Sequence, residues 1–330
     1  MLKYAMDEPF VSIIIPVKND AYFLKNCLES INLLDYPKDK VEVIIADGLS
    51  IDNSLDIARQ YGAKVIINQK KTVSPGRNIA FESAKGELVA FTDADCVVDS
   101  NWLKNAVKYF NDKKVVCVGG PNLTPPEDGS FSKAVGFVFG QRIFAAGSIH
   151  ARNLKEIKEV RSIPGCNAIY RKSGLDLVMP IDESLLTRDD TELNQRLLDN
   201  GFKLLYTPDV FVWHYRRPNP KKLWRQMYRY AIGRLQVGKR DKRMINMTHI
   251  IVGMGIPSIL LVLALALPLF LFFSGIILIL FFLLSAYSLL KTGSLSVSML
   301  IPVVVVIIFF AWSAGFMREL IFPIKNVEGK

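Results

Sequence analysis

The chain is poor in the marks of several common classes. No Gly-x-Gly-x-x-Gly or Walker loop follows its first apolar run, which argues against a dinucleotide-binding dehydrogenase and a P-loop NTPase. Its four cysteines, Cys27, Cys96, Cys117 and Cys166, have no paired or metal-ligand spacing, so a disulfide scaffold is excluded and a reducing cytoplasm fits. Residues 1–10 carry acids and a proline but no apolar core, so no signal peptide is expected there. Charge is missing from two long stretches. Met244 to Leu290 contains no Asp, Glu, Lys or Arg, and neither does Thr292 to Met317. As helix, the first would extend ~70 Å, over twice the ~30 Å hydrocarbon core of a bilayer. Acids are also scarce between Arg216 and Arg243, where Asp241 stands against 11 Lys and Arg.

What is present divides along the chain. At 50% hydrophobic the 330 residues are too apolar for an ordinary soluble domain, and at 22% charged too polar for a purely membrane protein. The stretch 1–220 reads as one soluble domain, 221–243 as a basic amphipathic helix, and 244–330 as membrane-spanning. Three spans are expected, at 248–273, 274–290 and 297–317, with the first turn at Ser274-Gly275 or nearer Pro268. The basic block accounts for the whole formal charge of +10 and directly precedes the spans. It therefore points to anionic headgroups on the cytoplasmic face and not to nucleic acid. Three spans would leave the C-terminus, with Lys325 and Lys330, on the far side.

Within 1–220, apolar strand-like runs alternate with helical patterns. Val11 to Val17, Val41 to Ala46, Val65 to Asn68 and Leu88 to Phe91 are the first four strands, and the alternation calls for a mixed, largely parallel α/β sheet. Asn19 or Asp20 is expected to cap the first helix, and Pro75 to open the third. Asp20, Asp47, Asp93 and Asp95 fall just past strand ends, where open α/β sheets bind ligands. Asp93 and Asp95, one residue apart, suit a hard divalent cation that would itself hold phosphates, although a simple turn explains them too. Phe131 to Ala146 is a core helix or a surface resting on the membrane. Gly165 lets a ligand approach the backbone closely. Thr187 or Asp189 is expected to cap a helix whose first turn carries Asp189, Asp190 and Glu192. Acids belong in such a turn, but these exceed what one cap needs, and one could be a general base. His214, after the run Val212-Trp213, is structural, a ligand or catalytic.

Taken in order, PVKND (16–20), IIADGLSIDNS (44–54), GRNIAFESAKGE (76–87), FTDADC (91–96), GCNAIYR (165–171) and RDDTELNQRL (188–197) resemble a family 2 glycosyltransferase of GT-A fold. The resemblance implies that Pro16, Val17 and Asn19 line a nucleotide pocket, that Asp47 binds the base, and that Arg77 helps close over it. Asp93 would contact the ribose and the metal side, and Asp95 would hold Mg²⁺ or Mn²⁺ with the donor diphosphate. Asp190 would be the catalytic base with Asp189 before it. Gly165, Asn167 and His214 would face sugar or acceptor. Gln226, Arg229 and Tyr230 are similar to the Gln-x-x-Arg-Trp motif of processive synthases. That helix either lies on the bilayer or also brings Arg229 near the pyrophosphate. The implied activity is inverting transfer from a UDP- or GDP-sugar to a polyprenyl- or dolichyl-linked saccharide in cell-surface polysaccharide or glycan assembly. A polyprenyl-phosphate sugar synthase and a non-catalytic nucleotide sensor are the alternatives.

Overall fold

The computed structural model describes residues 8–141 and 154–324. Eleven strands lie among them: β1 Val11–Val17, β2 Val41–Asp47, β3 Lys64–Ile67, β4 Leu88–Thr92, β5 Cys96–Val98, β6 Val115–Gly119, β7 Asn122–Leu123, β8 Lys158–Val160, β9 Asn167–Arg171, β10 Lys203–Tyr206 and β11 Val212–His214. The helices of the soluble part are α1 Ala21–Asn32, α2 Ser54–Gln60, α3 Val73–Glu82, α4 Trp102–Val107, α5 Ser130–Gly140, α6 Lys172–Leu175 and α7 Asp189–Asp199. Then follow α8 Pro220–Arg240, α9 Met247–Gly253, α10 Gly255–Leu265, α11 Leu267–Thr292 and α12 Leu295–Ile321.

One large sheet has the order β3-β2-β1-β4-β9-β6-β10-β8. Its first four strands are mutually parallel, whereas β9 runs antiparallel to both neighbours and β8 to β10. The central strands β1 and β4 are buried on both faces, which is why their sequences are nearly continuous apolar runs. One core, with Ile13, Leu24 and Trp102, lies under α1, α2 and α4. The other, with Ile14, Phe91 and Leu197, lies under α3, α6 and α7. Parallel pairing brings the ends of β1, β2 and β4 to one edge, so Val17 lies opposite Asp47. A small sheet, β5-β11-β7, stands beyond that edge and sets His214 opposite Cys96.

Two expected caps are not made by the expected side chains. Asp20 precedes α1 without a side-chain cap, and Asp52 Oδ2 accepts from the Ala21 N–H in its place. Neither Thr187 nor Asp189 caps α7: Arg188 takes that position in a left-handed conformation, φ 71°.

The apolar C-terminal part departs from three plain crossings. The first break falls at Ala266, before Leu267-Pro268, and not at Ser274-Gly275: Pro268 stands in the first turn of α11, where its missing N–H costs no helical hydrogen bond. Before it, α9 and α10 form a pair bent by 53°. Ser313 of α12 closes that bend, donating to the Gly253 carbonyl at 2.8 Å and accepting from the Ile256 N–H at 2.9 Å. The 11 residues of α10 span only ~16 Å, whereas α11 and α12 are long and apolar enough to cross a bilayer.

The basic helix α8 does not merely rest on a lipid surface. Its Leu223 and Met227 join Val135 and Val138 of α5 and Ile301 and Val304 of α12 in a third core. The expected helix 131–146 is thus observed as α5 in the junction between soluble and apolar parts, and residues 142–146 lie outside the described residues. Near the end of α12, Glu319 is buried and accepts from Lys239 of α8 at 3.1 Å. The end of α12 therefore returns to the side where α8 ends and α9 begins. By length and composition α11 and α12 can each cross a bilayer, and the bent pair α9–α10 would make a third span if it crosses as one. Lys325 and Lys330 lie outside the described residues.

Candidate active site

The edge formed by β1, β4 and the 162–166 loop opens into a cavity of about 1370 Å³. Among the residues named from sequence, Pro16, Val17, Arg77, Asp93, Gly165, Asp189, Asp190, His214, Gln226 and Arg229 line it.

Arg77 is the hub. Its side chain is 5% exposed, donates to Asp93 Oδ1 and to the Gly165 carbonyl at 2.9 Å each, and reaches Asp189 Oδ2 at 3.4 Å. The guanidinium also lies over the Phe91 ring at 5.3 Å. A Cβ on residue 165 would come within 2.4 Å of the guanidinium, so glycine is what lets this loop close on Arg77. Arg77 thus ties Asp93, the Gly165 loop and Asp189 together at the cavity wall. Burial outweighs Arg77 at both partners, pushing Asp93 up to about 6 and raising Asp189 as well.

Asp190 is held differently. One oxygen accepts from the Gly165 N–H at 3.2 Å and the other from its neighbour, the Thr191 N–H, at 2.7 Å. Asp189 pairs with Arg77, and Asp190 faces the loop that carries Gly165.

A second charged group forms around Asp95. Oδ1 lies 3.3 Å from Nε2 of His214, and Oδ2 accepts from Arg217 at 3.2 Å. Burial alone would raise this carboxyl, but His214 and then Arg217 outweigh it and hold it well below the usual range. His214 is desolvated too, yet Asp95 pushes it up to about 9. Asp20 is pushed up to about 6, first by burial and then by Asp95. His214 thus stands beside the Asp95 carboxylate and also lines the cavity. The cysteines, unremarkable in spacing, are close in space: Cys96, Cys166 and His214 offer ligand-type atoms within 4.8 Å of one another.

The carboxylates fit a divalent cation. Asp95 is held below the usual carboxylate range and Asp93 and Asp20 stand near, an oxygen set that suits Mg²⁺ or Mn²⁺. Arg217 satisfies Asp95 from one side, and its side chain is 39% exposed and long enough to swing away.

Three expected residues turn elsewhere. Asp47 is fully buried and accepts from the Ser50 N–H at 3.0 Å, shaping the 48–53 loop instead of facing the cavity. Asn19 is left-handed, φ 53°, and bonds the same loop through Ser50 and the Ile51 N–H. Asn167 is fully buried, accepting from Trp102 Nε1 and donating to the carbonyls of Pro121 and Val210. It ties β9 to Trp102, Pro121 and Val210.

Sequence reasoning missed Arg217, hidden in the basic block, and Arg188 and Arg234, which also line the cavity. The one available signal was position: Arg188 directly precedes the acidic pair, and Arg234 follows Tyr230 by one helical turn.

The comparisons agree with this geometry. A model described as Glycosyl transferase family 2 matches residues 12–178. Glycosyltransferase AglE of Haloferax volcanii is 30% identical over 241 residues, 71% of this chain and 76% of the relative. A dolichyl N-acetyl-alpha-D-glucosaminyl phosphate 3-beta-D-2,3-diacetamido-2,3-dideoxy-beta-D-glucuronosyltransferase of Methanococcus voltae is 24% identical over 247 residues, 67% of this chain and 72% of that one. Among solved structures, mannosyltransferase PcManGT from Pyrobaculum calidifontis, in complex with GDP-Man and Mn²⁺, superposes with a TM-score of 0.64 at 18% identity, covering 96% of this chain and 88% of that chain. With a GT-A sheet, acids gathered at its edge and a family match over half its length, this chain belongs to glycosyl transferase family 2.

Proposed function

We propose that the chain is a membrane-bound inverting glycosyltransferase with its catalytic domain on the cytoplasmic face. It moves a sugar from a UDP- or GDP-linked donor to a polyprenyl- or dolichyl-linked saccharide, a step in cell-surface polysaccharide or glycan assembly. One observation carries this reading. The same cavity that begins at Pro16 and Asp93 runs past Asp189 and Asp190 and ends on Val252 of α9 and Val305, Phe309 and Trp312 of α12. One wall of that cavity is polar, suited to a water-soluble donor, and another is apolar helix, suited to a lipid.

Asp190 is the base in this reading. Asp189 is committed to Arg77, and the Gly165 N–H holds Asp190 at the cavity wall. An ordinary carboxylate cannot pre-ionise an alcohol, so Asp190 takes the acceptor proton late, as the bond to the anomeric carbon forms. Asp95, with Asp93 and His214 beside it, would hold Mg²⁺ or Mn²⁺, which neutralises charge on a leaving diphosphate when bound. Pro16 and Val17 floor the donor end, and Arg229 and Gln226 of α8 face the same cavity from the membrane side.

The test is a product assay with labelled UDP- and GDP-sugars against lipid-linked acceptors. Metal-dependent transfer of sugar to a lipid-linked saccharide is expected. Donor binding without turnover on any lipid would overturn the reading in favour of a sensor.

A further inference from the structure

Between the acidic and apolar ends of the cavity stand two guanidinium groups with no part in the steps above. Arg188 keeps the left-handed backbone, a conformation that costs a non-glycine residue free energy, and its guanidinium stacks 4.3 Å from the centre of Tyr230. Arg234, one turn past Tyr230 on α8, donates once, to the Met244 carbonyl at 2.7 Å. The Nε atoms of both are buried without a hydrogen-bond partner. Among the described residues, no carboxylate lies within ion-pair distance of either. Burial, and then the charge of Arg188, push Arg234 down to about 9. Two like charges so placed destabilise the fold unless an anion comes between them.

The surroundings say which kind of anion. Asp190 is the acid whose charge Arg234 feels, so the pair stands on the base's side of the cavity and away from Asp95. Beyond Arg234 the wall becomes Val252, Val305, Ile308 and Phe309. A ligand filling both parts is anionic at one end and a long hydrocarbon at the other. The stacked Arg188 offers a fixed fork suited to two phosphate oxygens.

We propose that Arg188 and Arg234 seat the phosphate of the isoprenoid lipid acceptor, with the lipid chain lying along α9 and α12. The proposal rests on the transferase reading for the identity of its ligand and adds where that ligand is gripped. The phosphate belongs either to a lipid monophosphate or to the link between lipid and saccharide.

Binding without turnover tests it. Full-length protein in detergent micelles is titrated with a long-chain polyprenyl phosphate and with the matching polyprenol. Wild type is expected to bind the phosphate at least ~10-fold tighter than the alcohol. Arg188→Gln and Arg234→Gln should each remove that preference, leave polyprenol binding and nucleotide-sugar binding as in wild type, and Arg234→Lys should restore part of it. Equal wild-type affinity for phosphate and alcohol, or a loss shared with the nucleotide sugar, would overturn the proposal. Inorganic pyrophosphate that competes fully with the lipid would assign the pair to a free anion. If the lipid phosphate binds through both arginines but no sugar is ever transferred, the transferase reading fails and the seat stands. If the variants transfer sugar at wild-type KM for the lipid, the seat alone fails.

Discussion

Arg77 shows how one side chain can hold together parts of the chain far apart in sequence. It joins the end of β4, the 165 loop and the start of α7 from a buried position. Arg77→Met would leave Asp93 and Asp189 buried without their cation, at a cost of ~3–5 kcal/mol, readable by denaturant unfolding in detergent. Arg77→Lys should recover little, because one ammonium cannot serve three partners set in a fork. Asp190→Asn should lower turnover on a hydroxyl acceptor by ~10²–10⁴ while the donor KM stays near wild type. A lipid monophosphate acceptor, already ionised, would lose much less, so the ratio of the two losses separates transfer to a saccharide from transfer to the phosphate itself. Asp93, Asp95, Asp189 and Asp190 were legible because acids at strand ends and helix starts stand out. Asp47 and Asn167 look equally well placed in sequence. The direction a side chain takes past a strand end decides otherwise: one bonds Ser50 and the other Trp102. Arg217 was illegible for the opposite reason, since nothing separates it from ten other cations in the basic block.

Among the elements, α8 is the one whose role changed most between sequence and structure. Its alternation of basic and aromatic residues fits a helix on a bilayer, and periodicity alone cannot say whether an apolar face meets lipid or protein. Here it meets α12 closely enough that a Cβ at Gly315 would lie 2.2 Å from the Tyr228 carbonyl oxygen. Gly315→Ala must part the two helices, with an expected loss of ~1–3 kcal/mol in stability and a larger rise in KM for the lipid than for the donor. Parallel assays of melting in detergent and of both KM values check it. The break at Ala266 was partly legible: Pro268 marked it, but the Ser-Gly pair six residues on is an equally good turn on paper. Strands β1 and β4 were read nearly to the residue because a strand buried on both faces leaves few polar positions to blur its ends.

For the whole molecule, the pairing of Glu319 with Lys239 gives a prediction about sidedness. Leu320→Cys should react with a membrane-impermeant thiol reagent from the side of the catalytic domain, and Lys291→Cys from the opposite side. The native cysteines in the described chain are all buried and should leave a low background. Both labels on one side would refute the paired crossing of α11 and α12. The family resemblance was legible over the soluble part because its motifs are local. The contact between the ends of α8 and α12 was not, because it joins residues 80 positions apart.

That ion pair closes a mechanical loop. Along its C-terminal half α8 is tied both to the loop before the acids, through Gln236 to the Leu186 N–H and through the Arg229 carbonyl to Thr187, and to α12 through Lys239. A thinner bilayer tilts a long apolar helix. Tilting α12 would drag α8, and with it the peptide units just ahead of Asp190, by a fraction of an ångström. Turnover should therefore respond to acyl-chain length in reconstituted vesicles even when donor and acceptor are saturating, making lipid composition a rheostat for the chemistry.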